Sequence, residues 1–261
     1  MDIRVRGAVP PDPFLGAAAL FETEHDLSLP VDVRVRDNPE ERTWAGHYDD
    51  RHVLNISRKA ATSAMARELA LHELSHMARY EEPHPSHHQS TDEALFLALS
   101  GASVERRKLA HCYQIANHMK DVYADDITLS VGPGGKLVTF FESRLAAAVA
   151  DRPRDYSAPE AGSAPDSRLE TGSSDPDITA VNAAFALAMC ERHGLVDDDH
   201  RLYDLAHAAA DDAPGVDVPA FTRLFGSLAD DPSESEYRKA LVDAARLYAV
   251  DSGSGGPAAA D

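Results

Sequence analysis

The sequence predicts an α+β fold in which a small mixed sheet packs on helices and further helices follow. Three observations lead there. Short alternating segments concentrate before residue 58, two of them lie close enough to pair as a hairpin, and from about residue 62 apolar residues recur at helical spacing.

Taken in order, Ile3-Arg-Val-Arg6 alternates as a strand, and an Ala- and Leu-rich helix of about 14 residues starts at Pro13. Val31-Asp-Val-Arg-Val-Arg36 alternates again. Residues 43–57 read as two strands around a turn at Asp49-Asp50-Arg51, with Val53, Asn55 and Ser57 on one face and His52, Leu54 and Ile56 on the other. Helices are expected over Thr62–Tyr80, 91–101 and 105–127. Leu137–Phe141 fits a strand or a helix start, and Glu142–Ala150 is helical. Residues 151–177 have the Pro, Ser, Gly and acid composition of a linker or loop. Helices over 178–193, 200–210, 218–229 and 234–250 and a Gly/Ser/Ala tail over 251–261 complete the chain. The expected division is therefore a core over 1–150, a linker over 151–177, a helical region over 178–250 and a disordered tail.

Residues 72–76 read His-Glu-Leu-Ser-His. Two histidines four apart on a helix project from one face, so His72 and His76 can present imidazole nitrogens to one Zn²⁺, with Glu73 beside them as a general base. With 13 His and 16 Glu in 261 residues, such a pentapeptide arises by chance with a probability on the order of 0.04, so context has to decide. Met65, Leu69, His72 and His76 form one stripe at i, i+4, i+7 and i+11. The histidines prolong an apolar stripe, and solvated histidines would stand on the opposite face.

A hairpin feeding a His-Glu-x-x-His helix resembles the zincin metallopeptidases. Arg79 and Glu82 stand where the astacin and matrix-metalloprotease branch has Gly and His, so the resemblance points to the gluzincin branch. There the third ligand is a Glu on a second helix, followed four residues later by an Asp that orients the first His. Asp121 and Asp125 are similar to that Glu-x-x-x-Asp pattern, with Asp in place of Glu. The resemblance implies zinc held by His72, His76 and Asp121, Asp125 accepting from the far nitrogen of His72, and Glu73 as base. An Asp is one methylene shorter than a Glu, so it requires the two helices to approach more closely. His118, three residues before Asp121, is the main rival ligand; Glu93, Glu105 and the His84/His87/His88 loop also carry ligand chemistry. His118 and Tyr123, with His111 and Tyr113, are candidate oxyanion donors. The edge strand carrying Trp44, Gly46 and Tyr48 is expected to receive an extended peptide, with Gly46 permitting close approach. The implied activity is hydrolysis of peptide bonds in a peptide or protein substrate. A zincin-fold binding or regulatory module, and a metal-dependent hydrolase of a non-peptide substrate, are the alternatives.

The net charge of -19, from 44 acidic and 25 basic residues, argues against nucleic acid and anionic membranes as partners. The acids are 28 Asp and 16 Glu, the bases 20 Arg and 5 Lys. That composition resembles proteins of salt-in halophilic archaea, where acidity reports habitat. Cys112 and Cys190 make no disulfide framework and are expected as buried thiols. The N-terminal residues lack a basic segment followed by an apolar run, and no long apolar stretch occurs, so a cytoplasmic protein is expected.

Overall fold

The computed structural model describes residues 1–39, 41–151 and 175–250. The expected tail, and the expected linker apart from its first and last residues, lie outside them. The elements in chain order are β1 (Ile3–Arg6), α1 (Asp12–Phe21), β2 (Val31–Arg36), β3 (Trp44–Tyr48), β4 (Arg51–Ser57), α2 (Arg58–Ala61), α3 (Ala66–Glu81), α4 (Pro85–His88), α5 (Thr91–Leu99), α6 (Arg106–Val131), α7 (Gly135–Ala150), α8 (Pro176–Arg192), α9 (Arg201–Asp212), α10 (Val218–Gly226) and α11 (Glu234–Ala249). The protein is α+β with a mixed four-stranded sheet.

Two compact units divide the described chain. One is Met1–Lys136 with Leu228–Val250; the other is Leu137–Ser227. This differs from the expected division in two places. The boundary falls at 137, not 150, because Leu137–Phe141 is helical and continues through α7. The last helix joins the first unit, because α11 packs on α5 and α6 and buries Tyr237, Leu241, Ala244 and Tyr248.

In the first unit the strand order is β1-β2-β4-β3, with β1, β2 and β4 parallel and β3 antiparallel on the edge beside β4. Alternation gives the sheet two chemically distinct faces. Val31, Val33, Leu54 and Ile56 point inward and form the core with Phe14, Ala17 and Phe21 of α1 and Ala70, Leu71, Leu74 and Met77 of α3. Arg4, Arg6, Arg34 and Arg51 point the other way. Helix α1 begins one residue before Pro13, whose fixed φ suits the first turn. It buries Phe14, Ala17, Ala18 and Phe21 at i, i+3, i+4 and i+7 and ends after 10 residues, shorter than its composition suggests. The helix expected from Thr62 starts instead at Ala66, after the separate turn α2, which Ser57 caps through its side chain.

The second unit is helical. Nearly every side of α8 is buried, from Thr179 to Cys190, and α9 and α10 pack on it. A run of ring contacts, Phe141 to Phe185 at 5.9 Å and Phe185 to Phe225 at 5.7 Å, ties α7, α8 and α10 together. Cys112 in the first unit and Cys190 in the second are buried free thiols, each pushed up to about 11 by burial. Among the described residues no helix is long and apolar enough to cross a membrane.

Candidate metal centre

Helix α3 carries His72, Glu73 and His76, and α6 carries His118, Asp121, Tyr123 and Asp125. The fully buried line of α3 runs through Ala66, Ala70, Leu74 and Met77. The stripe Met65, Leu69, His72 and His76 borders it and is half-buried. That border position holds the imidazoles against protein on one side while leaving their Nε2 atoms reachable. The two helices are joined by hydrogen bonds: Arg79 Nε donates to the Tyr123 carbonyl at 3.0 Å, and the Ser75 and Thr128 hydroxyls meet at 3.0 Å. Ala78 and Ala124, next in the chain to Arg79 and Tyr123, are small and buried, as the close approach that a short aspartate requires would need.

His72, His76 and Asp121 converge, with one ligand atom from each lying within 4.8 Å of the others. The two Nε2 atoms stand 3.0 Å apart, and Asp121 Oδ1 lies 3.3 Å from His76 Nε2 and 3.8 Å from His72 Nε2. Bonds of about 2.0–2.2 Å to a tetrahedral ion set ligand atoms roughly 3.3–3.6 Å apart. The three atoms thus fit such an ion with small adjustments.

The far nitrogens are also engaged. His72 Nδ1 meets Asp125 Oδ1 at 2.7 Å, so the buried carboxylate holds the Nδ1–H and turns Nε2, the nitrogen that would give up its proton to a metal, toward His76 and Asp121. Burial lowers the His72 pKa, but Asp125 first, then Asp121 and Glu73, outweigh it and push it up to about 10. His76 Nδ1 meets His87 Nε2 at 2.8 Å, and His87 Nδ1, Ser86 Oγ and His84 Nδ1 follow at 2.7 Å each. The Ser86 backbone N–H donates to His84 Nδ1, so that atom is an acceptor. The proton order His76→His87→Ser86→His84 gives each link of the chain one donor and one acceptor. Burial leads the causes that lower His87 to about 2, so its imidazole stays neutral and able to accept.

Around Asp121, burial pulls the pKa up, yet hydrogen bonds from His118 and His76 and the nearby His72 charge hold its carboxyl far below the usual carboxylate range. His118 Nδ1 lies 3.5 Å from the other carboxylate oxygen, Oδ2, which places it as a neighbour of Asp121 and outside the converging set. Glu73 is buried, and burial raises its pKa against the opposing pull of His76 and His72; the Ala45 backbone N–H of β3 bonds its carboxylate.

The remaining candidates are used elsewhere in the first unit. Tyr123 is fully buried, its ring between His84 at 4.6 Å and Tyr237 at 5.8 Å. His111 bonds the Tyr248 hydroxyl, and the Tyr113 hydroxyl donates to Asp92 at 2.7 Å. Glu105 stands at the N-cap position of α6 without a side-chain capping bond, and Glu93 lies in the first turn of α5; neither joins the His72, His76, Asp121 group. Trp44, Gly46 and Tyr48 lie on the edge strand as expected, but their side chains take the outer sheet face. A Cβ on Gly46 would stand 3.0 Å from a Trp44 ring carbon and 3.4 Å from a Tyr48 ring carbon, so this glycine makes room for the two rings. The inner face of β3 carries His47, stacked on Tyr80 at 4.0 Å and facing His52 Nδ1 at 3.0 Å. His87, expected as one of the histidines with ligand chemistry in the 84–88 loop, bonds the far nitrogen of His76 and stands outside the converging group, while His47 is a site neighbour that no sequence pattern indicated.

These elements define an α+β protein with two histidines and an aspartate converging beside a buried glutamate. The chain belongs to a family of unknown function, DUF5781, whose sequence profile matches residues 1–250. No curated protein and no solved structure matches it.

Proposed function

We propose that this protein is a zinc-dependent metallopeptidase with a zincin-like core of the gluzincin kind. The observation that carries the reading is the convergence of His72, His76 and Asp121 with Glu73 buried next to them and bonded to the edge strand. A structural metal site has no use for a buried base at that position. Zinc, when bound, acts as a Lewis acid toward a carbonyl and lowers the pKa of water towards about 7.

The chain's own residues supply the rest. Glu73, raised by burial and held by Ala45 N–H, takes up a proton and returns it to the leaving amine. Because main-chain groups alternate along a strand, the bond from Ala45 N–H to Glu73 sets Ala45 and His47 as the residues whose backbone faces away from β4. An extended peptide adds to that edge by main-chain hydrogen bonds, which favours peptides over other hydrolysable substrates.

The test compares wild type with Glu73→Gln on casein and a peptide library at high salt, with zinc content measured on the same samples. Activity is expected to fall by about 10²–10⁴-fold with zinc retained. Undiminished hydrolysis by Glu73→Gln removes the proposed base, and a zinc-loaded wild type that cleaves no peptide makes the centre a binding or regulatory site.

A further inference from the structure

The outer face of the sheet is unlike the rest of this acidic chain. Its outward positions hold five arginines, Arg4, Arg6, Arg34, Arg36 and Arg51, and one acid, Asp32. The net charge of -19 is an average over the whole chain, so it does not describe this face.

Four of the arginines, with Asp32 and Asp50, line a cleft of about 330 Å³. Asp32 is its buried floor, with Arg6 at 3.5 Å and Arg51 at 3.7 Å, both longer than a good charge-assisted hydrogen bond of about 2.7–2.9 Å. Arg51 Nε is buried without a hydrogen-bond partner among the described residues. Arg34 has no ion-pair partner there. Arg4 pairs with Asp2, Arg36 with Glu41 and Arg51 Nη1 with Asp50 at 2.9 Å, but the arginines of these pairs stay partly exposed and such pairs are worth little, so they exchange readily for a stronger anion.

Beside the arginines stand two exposed aromatics. Trp44 and Tyr48, 42% and 46% exposed, lay their rings over Gly46, and the Arg51 guanidinium sits 5.3 Å from the Tyr48 ring centre. Adjacent exposed rings form a contiguous apolar patch, which, rimmed by charged residues, is the kind of surface that marks a binding site. From β1 to β3 the face spans three strand spacings, about 14 Å. That distance suits roughly two or three nucleotides of an extended strand.

We propose that this face binds single-stranded nucleic acid, the arginines of β1, β2 and β4 taking phosphates and Trp44 and Tyr48 stacking on bases. Guanidinium groups match phosphate oxygens in paired geometry, and stacking on an aromatic ring tolerates any base. This reverses, for one face, the expectation drawn from net charge. It is independent of the metal centre, because the bases stack on the face opposite α3.

Trp44 is the only tryptophan of the chain, so its emission reports on the face directly. Oligouridylate and oligodeoxythymidylate of about 12 nucleotides are titrated into the full-length protein across a salt series. Saturable quenching is expected, stronger at lower salt, and preference between the two oligomers distinguishes RNA from DNA. By anisotropy of a labelled oligomer, Trp44→Ala is expected to weaken binding about tenfold, Arg34→Ala several-fold, and Trp44→Phe to restore most of the loss. Absence of saturable quenching overturns the proposal. So does equal binding by Trp44→Ala, or equal competition by duplex DNA or polyphosphate.

Discussion

Asp125 on α6 accepts a hydrogen bond from His72 Nδ1 on α3 across 2.7 Å, and its carboxylate is buried. This contact settles which nitrogen of His72 faces Asp121. Replacing Asp125 by Ala leaves that imidazole free to turn and to change tautomer, and a zinc affinity loss of about 10–100-fold is expected. Asp125→Asn keeps an acceptor oxygen but loses the charge, so its loss should be smaller. Competition against a fluorescent chelator measures both; equal affinity for wild type and Asp125→Ala would sink the assignment.

The third position rests on Asp121 Oδ1, which points between the histidines, while His118 meets only the far oxygen at 3.5 Å. Asp121→Ala is therefore expected to abolish stoichiometric zinc at micromolar metal. His118→Ala should keep the stoichiometry and weaken affinity modestly, since it releases Asp121 from one of its holds. Elemental analysis after dialysis reads both variants. Zinc retained by Asp121→Ala and lost by His118→Ala would exchange their roles.

Much of this centre is legible in the sequence because helical geometry converts spacing into direction. His72 with His76, and Asp121 with Asp125, are each four apart, and that alone aligns each pair on one face. The strands are legible for the same reason, at a period of two. What spacing cannot carry is contact between distant segments. His87 reaches His76 because Pro85 and the α4 turn fold residues 84–88 back over α3, and no periodicity encodes that turn. The packing of α11 onto α5 and α6, some hundred residues away, is invisible to local patterns in the same way. Gly46 was legible as a glycine with a purpose, but the purpose depends on the rotamers of Trp44 and Tyr48.

The histidines predict a stability profile for the metal-free protein. Burial, then neighbouring His52 and other positive groups, lowers His47 from 6.5 to about 4, and His87 is lowered to about 2. The unfolded chain binds these protons below pH 6.5 and the folded one does not, so stability falls as pH drops from about 6.5 towards 4. His72 acts in the opposite direction. Raised to about 10, it contributes stability fully below pH 6.5 that is lost as pH rises towards 10. Urea midpoints of metal-free protein should therefore peak near neutrality. The double variant His47→Gln, His87→Gln should flatten the acid side; an unchanged acid slope refutes the account.

Tyr237 on α11 is fully buried, and its hydroxyl has no hydrogen-bond partner among the described residues. Its ring packs edge-on against Tyr123 at 5.8 Å, while burial, then Tyr123 and Asp121, raises its pKa well above the ordinary 10.0. The ring and the hydroxyl thus contribute with opposite sign. Removing only the hydroxyl deletes a desolvated polar group, so Tyr237→Phe is expected to stabilise the protein by about 1 kcal/mol. Removing the ring leaves a cavity beside Tyr123, so Tyr237→Ala is expected to cost about 3–5 kcal/mol. It should also weaken zinc binding, because Tyr123 supports His84 at the end of the chain from His76. Denaturant unfolding of the three proteins measures the first two effects and chelator competition the third. A destabilised Tyr237→Phe would mean that the hydroxyl is held by a group it needs.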